Sequence, residues 1–147
     1  MMSRTFAAAL CFALASCASL PIGQPAAPSA PRIPATPLEL GDWRRASAET
    51  ALSQFERIVA GRYAAGLALA AVTADLQLYE FTCAAPRAAA ARGDPPARTC
   101  RKTVSLNGCT HTWQAHLFDA NGDGALARTR ALYDRRCGGD GLLGGPD

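Results

Sequence analysis

The stretch Thr103-Val104-Ser105-Leu106-Asn107-Gly108-Cys109-Thr110-His111-Thr112-Trp113 carries two signals at once. Val104 and Leu106 alternate with Thr103 and Ser105, the period of a half-buried strand. Asn107-Gly108 then supplies two adjacent residues that accept positive φ, as a two-residue hairpin turn requires. The strand that opens at Arg101 therefore folds back into a second one, Cys109 to Phe118, rich in Thr, Trp and Phe. Cys109, His111, Trp113, Ala115 and Leu117 share one face of it. His111 and His116 are the only histidines. Five residues apart on one strand, they point to opposite faces and cannot grip one metal ion together.

Working outward, Asp119 to Gly124 is a polar turn, and Ala125 to Tyr133 is predicted as a third strand. Upstream the period is helical. Ala48, Leu52, Phe55 and Val59 recur at three or four residues, with Asp42 or Ser47 as the candidate cap and Gly61 near the end. After a turn at Arg62 to Gly66, Leu69, Val72, Leu76 and Tyr79 form a second stripe. Between Ala84 and Arg98 no period survives, and Asp94-Pro95-Pro96 points to a surface loop. Helices followed by strands give an α+β layer: a two-helix hairpin packed over the Trp113 face of a three-stranded antiparallel meander.

The first residues have the tripartite form of an export signal. Arg4 is followed by an apolar run from Phe6 to Ala15, too short to span a bilayer. Leu14-Ala15-Ser16-Cys17 then resembles the lipobox of bacterial lipoproteins. That resemblance implies removal of residues 1–16, acylation of Cys17, and a place in the cell envelope. Ala18 after the cysteine implies the outer membrane, with the domain facing the periplasm. The family's cysteine carries several acyl chains, which anchors stably where one chain would not. Residues 17–38 are rich in Pro and Ala, and from Pro25 to Pro37 a proline recurs every third residue. This is the period of polyproline II. It reads as a semi-rigid tether, reaching on the order of 60 Å at ~3.1 Å per residue.

Residues 39–137 make one small domain, and residues 138–147 a loose Gly-rich tail. Cys83, Cys100, Cys109 and Cys137 lie in the domain. An even count in an exported chain implies two disulfides, for which three connectivities exist. Cys83–Cys100 with Cys109–Cys137 is preferred: the first pair staples the loop ends, and folding the last two strands together brings Cys109 near Cys137. Each bridge closes a loop worth on the order of 3 kcal/mol.

Few residues suggest chemistry. Asp119-Ala120-Asn121-Gly122-Asp123-Gly124 has the form of the first half of an EF-hand calcium loop, with oxygen ligands at positions one, three and five and Gly at six. The twelfth place, which needs a bidentate Glu, is Arg130. A β-turn wants the same residue types. There is no G-x-S-x-G, H-E-x-x-H or P-loop, and nothing marks Asp75 and Glu80 as a catalytic pair. No cofactor is implied. Losing Arg4 with the signal takes the net charge from +3 to +2, and the arginines are spread rather than massed, which argues against nucleic acid.

The lipobox, the spacer, the helix opening Gly66-x-x-Leu69-x-x-Val72-x-x-x-Leu76 and the meander together resemble small outer-membrane lipoproteins of the BamE (SmpA/OmlA) type. Those place two helices on a three-stranded sheet and serve as accessory subunits in the insertion of β-barrel proteins. This chain adds two disulfides and the loop after Cys83. The resemblance implies a role for Cys17 alone. The expectation is a non-enzymatic envelope lipoprotein, a binding or scaffolding module with a protein partner in the envelope. Its contact surface would be the sheet face away from the helices together with the stapled loop. The alternatives are a calcium-binding module using Asp119, Asn121 and Asp123, or an inhibitor of a secreted enzyme.

Overall fold

The computed structural model describes residues 30–85 and 94–138. The signal, Cys17 and most of the tether lie outside these residues, as do the middle of the stapled loop and the tail beyond Gly138. The chain forms α1 (Ala48–Arg62), α2 (Leu69–Leu78), β1 (Thr82–Ala84), β2 (Arg98–Leu106), β3 (Cys109–Phe118) and β4 (Arg128–Cys137). Ser47 caps α1, its hydroxyl accepting from the Thr50 N–H at 3.1 Å. The buried stripe of α1 is Ala51, Phe55, Val59 and Arg62, with Ala48 exposed. Helix α2 ends in a Schellman turn: Glu80 takes φ 66° while Phe81 N–H returns to the Leu76 carbonyl. Lys102 Nζ reaches the Tyr79 carbonyl at 3.0 Å and places a cation at this helix end.

The sheet has four strands in the order β1-β2-β3-β4, all antiparallel, where the sequence predicts three. The extra strand is Thr82-Cys83-Ala84, paired with Arg101, Cys100 and Thr99. Three residues are too few to show alternation, and its partner lies far along the chain, so no local pattern announces it. Strand β2 accordingly begins at Arg98 rather than Arg101. Strand β4 begins at Arg128 rather than Ala125, because the preceding residues pair elsewhere. Leu69 N–H donates to the Gly124 carbonyl at 2.8 Å and Leu126 N–H to the Leu67 carbonyl at 2.7 Å. These bonds tie the β3–β4 turn to the segment between the helices. The β2–β3 turn is the one read from sequence, with Asn107 at φ 51° and Gly108 at φ 74°.

Helix α1 lies over β4, and α2 lies over β1 and β2. Both cover the face carrying Cys100, Trp113, Ala115, Leu117 and Ala131, which form one core with Phe55, Val59, Val72 and Leu76. Leu38 is buried in that core and Ile33 packs against it, so the packed region reaches back into the proline-rich segment.

Candidate functional site

The two disulfides are Cys83–Cys100 and Cys109–Cys137. Each joins residues directly opposite in the ladder, the first between β1 and β2, the second between β3 and β4. Four of the singled-out cysteines are thus consumed in bracing the sheet at opposite ends, and none is left as a thiol.

Asp119, Asn121 and Asp123 form a self-contained turn. Asp119 Oδ1 accepts from the N–H groups of Asn121 and Gly122, at 3.2 and 2.7 Å, and Oδ2 from Gly124 at 2.8 Å. These bonds, Gly124's foremost, hold the Asp119 carboxyl below its ordinary range. Asp123 Oδ1 accepts from Ala125 N–H at 2.9 Å. Arg130 stands on β4 opposite His116, away from the turn. Among the described residues no group of three His, Cys, Asp or Glu side chains is set to hold a metal ion.

Two polar clusters are buried. Arg62, 8% exposed, sends Nε and Nη2 to the two oxygens of Asp75 at 2.7 and 2.9 Å, and Nη1 to the Thr36 carbonyl at 2.7 Å. Tyr63 donates its hydroxyl to the same carboxylate at 2.6 Å. Burial pushes the Asp75 carboxyl up, but the bonds from Arg62 and Tyr63 outweigh it and hold it below its ordinary value. The cluster joins α1 and α2 and pins the segment before them; its carboxylate accepts three hydrogen bonds, one at Oδ1 and two at Oδ2. In the second cluster His111 Nδ1 and the Tyr133 hydroxyl share a bond of 2.6 Å under the Trp43 ring. Burial, then the charge of Arg135, holds the His111 imidazole below its ordinary value. Burial raises the Tyr133 phenol. Both groups are therefore neutral near pH 7. The neighbouring Trp113 indole N–H is buried without a hydrogen-bond partner among the described residues, its ring set at 79° to that of Trp43.

The other face of the sheet is open. The ladder places Thr82, Arg101, Gln114 and Leu132 in one row across all four strands. Flanking rows bring Thr103, Thr112 and Asp134 on one side, and Thr99, His116 and Arg130 on the other. Two adjoining hollows share Arg101 and Gln114, and so make one polar furrow from Glu80 at the β1 edge to Arg136 on β4. Glu80 pairs with Lys102 at 2.8 Å, and Asp134 with Arg136 at 2.9 Å. Arg101 and Arg130 make no ion pair or hydrogen bond among the described residues. At the far end Arg128 lies over the Phe118 ring at 3.5 Å and bonds to Asp94, which closes off that ring. His111 faces the core and His116 the open side, as their spacing predicts. Nothing in the sequence around Arg101 or Arg130 marks either as a binding residue. For the β3 hydroxyls of Thr110 and Thr112 a signal was present in the even-numbered positions, polar from Thr110 to His116 and opposite the Trp113 face; Arg101 and Arg130 lie on the neighbouring strands and share no such pattern.

No protein-family model, no curated protein and no solved structure matches the chain.

Proposed function

We propose that this chain is a lipid-anchored, non-enzymatic module of the bacterial cell envelope that binds a partner through the open face of its sheet. The carrying observation is the asymmetry of that sheet. One face is closed by both helices, while the other presents a polar furrow that contains Arg101, with Arg130 beside it on the same face, and neither guanidinium has an ion pair among the described residues. The lipobox resemblance at Cys17 supports the anchor, and the proline-rich spacer would hold the domain off the membrane. Two disulfides suit an oxidising compartment. Asp75 is held by Arg62 and Tyr63, and His111 by Tyr133, within the packed core, which favours binding over catalysis.

Two measurements test this reading. Cys17→Ser should move the protein out of the membrane fraction, and the mature wild-type chain should begin at an acylated Cys17. A photo-crosslinking residue at exposed Thr103 should capture an envelope component in intact cells, while one at exposed Ser53 on α1 should not. Equal labelling from both positions, or none, defeats the docking face.

A further inference from the structure

The geometry points to an acidic polysaccharide, a sugar chain bearing carboxylates, as the occupant of the open sheet face. This deepens the docking reading above and rests on it. Arg101 and Arg130 are unpaired among the described residues, while Arg136 is tied to Asp134. The two acids near the furrow, Glu80 and Asp134, already have cationic partners. The face therefore favours an anionic ligand. A guanidinium fork matches a carboxylate with two parallel bonds.

The spacing suits a chain rather than a single ion. Arg101 is on β2 opposite Gln114, and Arg130 is two strands away and two residues along. With strands ~4.8 Å apart and ~3.4 Å per residue, their Cα atoms are on the order of 12 Å apart. Charges so separated address successive groups along a polymer. Around them lie the hydroxyls of Thr99, Thr103, Ser105 and Thr110 and the Gln114 amide, which can both donate and accept. That is a match for sugar hydroxyls. A protein partner would want aromatic or aliphatic anchors at the centre of the patch. Here the large apolar side chains are Leu132, half-buried, and Phe118, already covered by Arg128.

Calorimetric titration of the full lipidated chain in uncharged detergent tests this, with hexagalacturonate as the probe. Binding is expected at low salt and should weaken as salt rises. Arg101→Gln and Arg130→Gln should each weaken it on the order of tenfold, since a charge-assisted bond to carboxylate is lost. Arg57→Gln on α1 should leave it unchanged, and neutral maltohexaose should not bind. Absence of hexagalacturonate binding overturns the inference. So does equal weakening by Arg57→Gln, which would mean only general charge attraction, or tighter binding of hexaglutamate, which would make the occupant an acidic polypeptide. If the Thr103 crosslinker still captures a partner in any of these cases, the docking face stands and only the ligand class falls.

Discussion

The two faces of this sheet use the same strands and obey opposite rules. On β3, Trp113, Ala115 and Leu117 are fully buried. Their neighbours Thr110, Gln114 and His116 keep contact with solvent. The inner face is filled by rings: Trp43 against Trp113 at 5.0 Å, Tyr133 against Trp113 at 5.3 Å, and Phe55 stacked on Phe81 at 6.2 Å. The outer face is mostly polar, with hydroxyls and guanidiniums prominent and Leu132 and Phe118 among them. The difference teaches that the packing which holds the fold lies on one side of the ladder, and the docking surface proposed above lies on the other. Burial of apolar rings on one side, with disulfides at opposite ends, fixes the sheet. The outer side chains are then free to be chosen for what they bind.

The largest expected effect is on the inner face. Trp113→Ala removes the biggest fully buried side chain and should cost about 3–5 kcal/mol in urea unfolding. For a domain of this size that is a large share of the total. A loss below about 1 kcal/mol would break the comparison, since surface substitutions cost that little.

How much of this was legible in the sequence follows from the range of each signal. The β2–β3 hairpin was legible, because Asn107-Gly108 and the alternation around it are local. Both helices and the preferred disulfide pairing were legible for the same reason: stripes at helical spacing, and cysteines that flank recognisable turns. Strand β1 was not, because three residues carry no period. Nor was the late start of β4. It depends on Gly124 and Leu126 bonding to Leu69 and Leu67, nearly sixty residues earlier. The Arg62–Asp75 pair was equally hidden, since both residues sit among ordinary helix charges until α1 and α2 are brought together.

That pair sharpens the comparison, because it is polar yet belongs to the inner side. Asp75→Asn leaves the Arg62 guanidinium buried without its carboxylate and should cost about 3 kcal/mol near pH 7. The pH dependence has a definite sign. The folded Asp75 pKa lies below its ordinary value of 3.8, so its contribution is fully present above that value. It is lost as pH falls through the folded pKa. The gap between wild type and variant in urea unfolding should hold steady from pH 7 to 5 and narrow below pH 3.8. A gap that widens on acidification would show that Asp75 is not held as the carboxylate.

The smallest expected effect is on the outer face, and it bears most directly on function. Thr110→Ala and Arg101→Gln alter exposed side chains without an ion pair among the described residues, and each should shift unfolding free energy by less than about 0.5 kcal/mol. Thr112 lies in the same face but is only 4% exposed, its hydroxyl 3.5 Å from that of Thr103. Thr112→Ala should therefore cost more, about 1 kcal/mol, and marks where the furrow floor begins to serve the fold. A cost near 1 kcal/mol at Arg101 or Thr110 as well would mean that the outer side chains hold the sheet together. Their arrangement would then need no ligand to explain it. Near-neutral stability at those two positions, together with weakened hexagalacturonate binding in Arg101→Gln, is the pattern that separates a recognition surface from a structural one.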